Sequence, residues 1–370
     1  MNQFDGGTST AVAPQRLQGC DSVNAMASPL ALFNGSYVGA RPTGIGVVAR
    51  ELAAACDPQQ LPALWPKGLG PDQGRAGHWR RLVWTQRELP RLWRRSEAPL
   101  LFSPLPEAPL LAGVPSVVLA HDLLPLRYPQ FTPLLAYHLA YVPLVLQRAR
   151  HVLCNSEATA REVHGRLRVP LRRLSVLTLG FNPGNLRPLG LNREPELLVL
   201  GRHDPHKNLA RLLQAFALVP DSQVRLHLVG PHDRRYTPQL QRLAQELGVA
   251  HRCHWTAWVS DEERLQLLNR ALALVIPSLW EGFGLPALEA MACGTPVLAS
   301  TAGALPEVVG DAALPIDPRD PHQMAAALQQ LLQDPTLQGQ LQQAGPKRAA
   351  QFSWQRTAAQ LCSCLAAVKP

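Results

Sequence analysis

The strongest constraint on the fold is an alternation of short apolar runs and helical stretches that occurs twice and is interrupted once. In the first pass, apolar runs at 30–33, 114–120, 151–154 and 174–179 have strand length, with helical patterns such as VVARELAAA (47–55) between them. In the second pass, runs at 197–200, 224–229, 271–276 and 297–299 alternate with helical segments at 208–218 and 260–270. Near-continuous apolar strands joined through helices are those of parallel sheets covered on both faces. The interruption, GFNPGNLRPLGLNREPE (180–196), is dense in Gly, Pro and Asn and reads as a linker. The expected fold class is therefore α/β, with two Rossmann-like domains over 28–182 and 183–352. A length of 370 residues suits two domains of ordinary size. Residues 1–27 lack periodicity and read as a disordered extension.

Composition excludes several classes of function. With 46% hydrophobic and 17% charged residues the chain can fill two cores. No apolar run reaches the length of a membrane span and the N-terminus lacks a signal-peptide pattern, so a cytoplasmic location is expected. The seven cysteines are scattered without a CxxC pair, which argues against a disulfide framework or a zinc site. DxD, HExxH and GxxxxGK[ST] patterns are absent, so neither a metal nor a cofactor is expected. Much of the net charge of +9 sits in 75–95, where seven arginines interleave with Trp79, Trp84 and Trp93. That pattern suits a surface helix whose arginine stems cover apolar neighbours, an anionic membrane surface, or nucleic acid.

The chemistry concentrates in 277–296, PSLWEGFGLPALEAMACGTP. Glu281 and Glu289 are separated by seven residues, with a turn at Gly282–Gly284 between them and Pro286 placed to open a helix. A strand, a glycine turn and a helix start present unpaired N–H groups to an anion, while the flanking carboxylates accept hydrogen bonds from hydroxyls. A nucleotide sugar, with phosphate in the middle and polyols at both ends, matches that set. In the loop before the helix predicted from Asn208, Arg202 and Lys207 form either an anion cradle or a pair of solvated surface charges. His121 ends the strand 117–120 and points to the crevice where α/β sheets bind ligands, or serves as a structural histidine. Gly44 and Gly46 lie in the loop after the first strand, where a lone GxG also marks a simple tight turn.

Taken in order, TGIG (43–46), WTQRELP (84–90), HDLLPL (121–126), CNSEATAREV (154–163), GRHDPHKN (201–208), PSLWEGFGLPALEAMACGTPVLAS (277–300) and GALPEVVGDAAL (303–314) resemble the family-4 retaining glycosyltransferases of GT-B architecture. The resemblance implies that Glu281 accepts from the donor-sugar hydroxyls and Glu289 from the ribose. It gives Phe283, Gly284 and Leu285 the backbone N–H contacts to sugar and phosphates, and Arg202 and Lys207 the diphosphate. Gly44 and Gly46 then admit donor and acceptor, and His121 lies beside the anomeric carbon. Trp354 opens a helix that crosses back, so that 353–370 complete the first domain. The implied reaction is metal-independent transfer of a mannosyl, rhamnosyl or glucosyl group from a nucleotide sugar to a glycan or lipid-linked acceptor. Polysaccharide or lipopolysaccharide synthesis, peripheral on the inner face of a membrane, is the expected setting, with no nucleic-acid partner. Another enzyme on the same scaffold, a sugar-nucleotide epimerase or an α-glucan phosphorylase, is the alternative. A non-enzymatic nucleic-acid or membrane binding module is the least supported.

Overall fold

The computed structural model describes residues 28–39, 44–70, 73–129, 135–220 and 223–369; the expected extension 1–27 and Thr43 of TGIG lie outside them. Chain order gives β1 (Leu32–Asn34), α1 (Gly44–Ala55), β2 (Ala63–Leu64), α2 (Gly74–Arg95), β3 (Leu101–Ser103), β4 (Ser116–Ala120), α3 (Leu124–Arg127), α4 (Val142–Arg148), β5 (His151–Cys154), α5 (Glu157–Leu167) and β6 (Leu174–Val176). After the Gly/Pro-rich break come β7 (Glu194–Leu200), α6 (Leu209–Ala217), β8 (Arg225–Val229), α7 (Thr237–Glu246), β9 (Cys253–Thr256), α8 (Asp261–Arg270), β10 (Ala271–Ile276) and α9 (Leu285–Ala292). β11 (Val297–Ser300), α10 (Leu305–Val309), β12 (Leu314–Ile316), α11 (Pro321–Gln333), α12 (Pro335–Ala349) and α13 (Trp354–Ala367) close the chain.

The strands form two six-stranded parallel sheets, ordered β2-β1-β3-β4-β5-β6 and β12-β11-β10-β7-β8-β9. Strand order reverses between β1 and β3 in the first sheet and between β7 and β10 in the second. Those reversals open a crevice at the carboxyl ends of the strands, where successive connections leave for opposite faces of the sheet. The fold is the expected α/β, GT-B arrangement of two Rossmann-like domains, and α13 packs back on α1 of the first domain. Thr357 Oγ1 donates to Thr178 O and Gln360 Nε2 to Val176 O, tying α13 to the end of the first sheet. At the crossing, a Cβ on Gly180 would lie 2.5 Å from Trp354 N, so only glycine lets the two segments meet.

Several details depart from the sequence reading. β7 starts at Glu194, inside the stretch read as linker, because Glu194 and Glu196 pair with Ala271 and Arg225 at the strand's outer end. β2, β3, β9 and β12 were not anticipated from the apolar runs. Gly44 and Gly46 occupy the first turn of α1 and not the loop before it. The Arg/Trp segment forms α2, and its residues divide between faces. Trp84 and Trp93 pack inward on a cluster with Leu32, Leu89 and Leu101, whereas Trp79 and Val83 face solvent. Arg81 is buried in an ion pair with Glu107, so the seven arginines do not form one surface stripe. Among the described residues no helix is long and apolar enough to cross a membrane.

Candidate active site

The site forms where the second sheet reverses, between the loops that leave β7 and β10. Lys207, in a short 3-10 turn at Pro205–Lys207, reaches across to Glu281 with Nζ–Oε1 at 2.7 Å. Ser278 Oγ donates to the same oxygen at 2.6 Å. The backbones are tied as well: Leu279 N donates to His206 O, and Asn208 Nδ2 donates to Pro277 O and Pro318 O. Asn208 has φ 61°, a left-handed conformation that asparagine tolerates better than most residues, and that turn delays α6 until Leu209. Gly284 has φ 110°, and a Cβ there would stand 2.7 Å from Leu305 Cδ2. Its conformation turns the chain sharply into α9, whose first-turn N–H groups have no intrahelical acceptor.

The residues singled out in the sequence are distributed as follows. Lys207, Glu281, Gly284 and Arg202 line one recess between β7 and β10. Arg202 is mostly exposed and pairs with Asp204 at 3.2 Å, so only Lys207 of the two cations contacts Glu281. Leu285 opens α9, while the Phe283 side chain turns inward against Phe352. Glu289 lies one turn into α9 beside Arg264 at 3.2 Å. Burial raises its pKa, with Arg264 acting in the opposite direction. Sequence reasoning missed Arg264, Ser278 and Asn208. Asn208 was visible as the residue after Lys207, but its support of the β10 loop depends on contacts 69 residues away.

His121 follows β4 at its carboxyl end, with its backbone against Gly282 of the second domain. Its Nε2–H donates to Pro104 O at 2.7 Å, and burial pushes its pKa down to about 4. The ring is therefore neutral, with Nδ1 free to accept a hydrogen bond. Gly282 packs against it so closely that a Cβ would lie 2.3 Å from His121 O and 3.0 Å from Asp122 Cβ. Burial raises the pKa of Asp122, with a further contribution from Glu281 across the cleft.

Other contacts fasten the two domains around this point. Ser156 Oγ donates to Gly282 O at 3.1 Å, and Arg127 lies 4.4 Å above the Trp280 ring. Both carboxylate oxygens of Glu307 accept backbone N–H groups at the start of α5, from Glu157 and Ala158 at 2.7 Å each. A carboxylate there also meets the positive end of the helix dipole. The sequence contained Glu307 within GALPEVVGDAAL but gave no sign that its partner lay 150 residues away.

The comparisons with known proteins cover nearly the same span. Residues 43–184 match the family profile described as Glycosyltransferase Family 4, and residues 186–348 match Glycosyl transferases group 1. The chain is 37% identical to an MMP alpha-(1->4)-mannosyltransferase of Mycolicibacterium hassiacum over 62% of its own length and 57% of that protein. It is 38% identical to O-antigen chain mannosyltransferase B of Escherichia coli over 44% and 43% of the two chains. It thus spans about half the length of these curated relatives. A sucrose-phosphate synthase from Thermosynechococcus elongatus shares the fold, with a TM-score of 0.69 at 24% identity over 91% of this chain and 98% of that one.

Two predictions follow from the geometry. Because the folded pKa of His121 is lowered, the unfolded chain binds more protons between about pH 4 and pH 6.5, and stability falls as pH drops through that window. Between about pH 7.5 and about pH 5.5 the wild type is expected to lose about 1.4 kcal/mol more than His121→Asn. Urea unfolding at both values checks this, and equal losses would contradict a neutral, buried His121. Glu307→Ala removes two charge-assisted backbone bonds and the ion pair with Arg161, and is expected to shift the protein at least about tenfold towards separated domains. Small-angle scattering should then show a larger radius of gyration; an unchanged radius would contradict the latch.

Proposed function

Because this chain belongs to the family-4 glycosyltransferases, the glycosyl transferases group 1, we propose that it transfers a hexosyl group from a nucleotide-diphosphate sugar to a glycan or lipid-linked acceptor with retention of configuration. The observation that carries the reading is the Lys207–Glu281–Ser278 contact at the strand-order reversal, with the neighbouring Gly282 packed on the backbone of His121 in the other domain. In this reading Glu281 accepts from donor-sugar hydroxyls, and Lys207 exchanges part of its contact with Glu281 for the diphosphate. Arg202, exposed at the rim of the same recess, swings from Asp204 to the phosphates. The N–H groups of Phe283, Gly284 and Leu285 complete the anion site, and Glu289 takes the ribose.

As the sugar–phosphate bond breaks, negative charge grows on the diphosphate while the anomeric carbon becomes oxocarbenium-like. Lys207, Arg202 and the start of α9 supply fixed positive potential at the leaving group, where preorganised charge lowers the barrier most. No metal or cofactor is assigned a part in this step. Neutral His121 offers Nδ1 as an acceptor for a sugar or acceptor hydroxyl, with its own orientation fixed by Pro104 O. Gly44 and Gly46, in the first turn of α1, leave room for donor and acceptor to approach. The contacts made by Glu307 and Ser156 hold the two domains together, and closure of the cleft over bound donor keeps water from hydrolysing it.

The mannosyltransferase relatives support a mannosyl donor and a role in polysaccharide or lipopolysaccharide synthesis. The outer face of α2, with Trp79, Val83 and exposed arginines, supports peripheral docking on an anionic inner membrane face.

Glu281→Ala and Lys207→Ala are each expected to lower kcat/KM by about 100-fold or more, the loss seen when a preorganised polar group at a developing charge is removed. Steady-state release of nucleoside diphosphate in the presence of acceptor measures it, with melting temperature as the fold control. Turnover within a few-fold of wild type would refute the assignment.

A further inference from the structure

Each glutamate flanking the glycine turn has one oxygen committed to the protein. Glu281 Oε1 accepts from both Lys207 and Ser278, and Glu289 Oε1 accepts from Arg264 Nη1 at 3.2 Å. Glu289 Oε2 accepts no hydrogen bond among the described residues, yet it is not sealed from solvent, and 19% of the side chain is exposed. A carboxylate with one oxygen held and the other open is an acceptor that a ligand can reach.

Arg264 is itself firmly placed. Ser260 and Glu263 form the capping box that starts α8, and Arg264 N donates to Ser260 O in its first turn. The guanidinium then bridges two carboxylates, with Nη2 donating to Asp261 Oδ1 at 3.0 Å and Nη1 to Glu289 Oε1. Asp261 is 91% exposed, so water solvates the outer end of this bridge, whereas Arg264 and Glu289 are 33% and 19% exposed. Burial raises the pKa of Glu289, and Arg264 is the charge that opposes it, favouring the ionised form that accepts hydrogen bonds.

Fastening α8 to α9 does not require this pair. Near the far ends of both helices Arg193 Nη1 donates to Leu268 O, Asn269 O and Ala271 O, and Arg193 Nη2 donates to Gly294 O. Asn269 adds bonds to Leu265 O, to Arg187 O and from Leu189 N. One partly exposed ion pair contributes little to such a joint. Its larger consequence is where Glu289 points. We infer that Arg264 is the positioning residue of the ribose end of the site: it holds Glu289 in one orientation, with Oε2 presented to the ribose hydroxyls, and so makes the site select nucleotides that carry them. The inference rests on the reading of Glu289 given above, and Arg264 acts only through that carboxylate.

The test is calorimetric binding of GDP, UDP and dTDP, each against its 2′,3′-dideoxy form, in wild type, Glu289→Gln and Arg264→Met. Methionine keeps an unbranched apolar stem and removes the charge. The wild type is expected to bind at least one nucleotide about tenfold or more tighter than its dideoxy form, the effect of a hydrogen bond to a charged group. Both variants should bring that ratio to within about threefold of unity. An arginine that only braced α8 would change the two affinities together and leave the ratio alone. The ratio retained in Arg264→Met but lost in Glu289→Gln would therefore overturn the inference while the ribose reading stands. The ratio retained in Glu289→Gln, or no such ratio in the wild type for any of the three nucleotides, would overturn the ribose reading and this inference with it. Should Arg264→Met melt early, Arg264→Gln replaces it under the same criteria.

Discussion

The contact between Lys207 and Glu281 organises the rest of the molecule. Each residue sits in a loop that leaves a central strand where the strand order reverses, so the pair bridges the crevice the topology creates. With side chains 20% and 12% exposed, the two charges interact in surroundings much less polar than water. Neither could be left alone there without a large desolvation cost. Their neighbours are arranged accordingly: Asn208 braces the β10 loop, Gly303 lets the backbone of Glu281 pass close by, and Ala304 N donates to Glu281 O. The close packing of Gly282 on His121 O then carries this construction to the other domain.

The same cleft separates ionisable groups by role through their surroundings. His121 is neutral, with one ring nitrogen committed to the protein. Glu289 is paired with Arg264. Glu281 lies with Lys207 and Ser278. The two glutamates therefore have separate partners, Lys207 and Ser278 for one and Arg264 for the other, which suits two ends of one elongated ligand better than an acid and a base flanking one bond.

Much of this was legible in the chain. Apolar runs such as 271–276 and 297–299 read as buried parallel strands because both their faces are covered, and the helical stretch 260–270 became α8, capped by Ser260 and Glu263. The turn at Gly282–Gly284 and the helix behind it were readable because glycine and Pro286 have local conformational meanings. What escaped were interactions between distant segments: Glu307 with α5, Asn208 with the β10 loop, and Arg81 with Glu107. Arg81 looks like any other arginine of a basic helix until folding brings Glu107 beside it. Similarly, the placement of Gly44 and Gly46 depended on where α1 begins, and helix boundaries are weakly encoded when no capping side chain marks them.

In a glycosyl transfer of this kind nucleoside diphosphate should leave only when a sugar is transferred, because the charged groups at the recess would act on a bond whose cleavage depends on the assembled cleft. The most direct test incubates the protein with GDP-mannose, UDP-glucose and dTDP-rhamnose, each with and without a panel of glycan acceptors. Diphosphate release and the anomeric configuration of the product are both followed. Release that depends on acceptor, matches product one for one and retains the donor's configuration is the predicted result. Diphosphate release at the same rate without acceptor, or a product of inverted configuration, would contradict it.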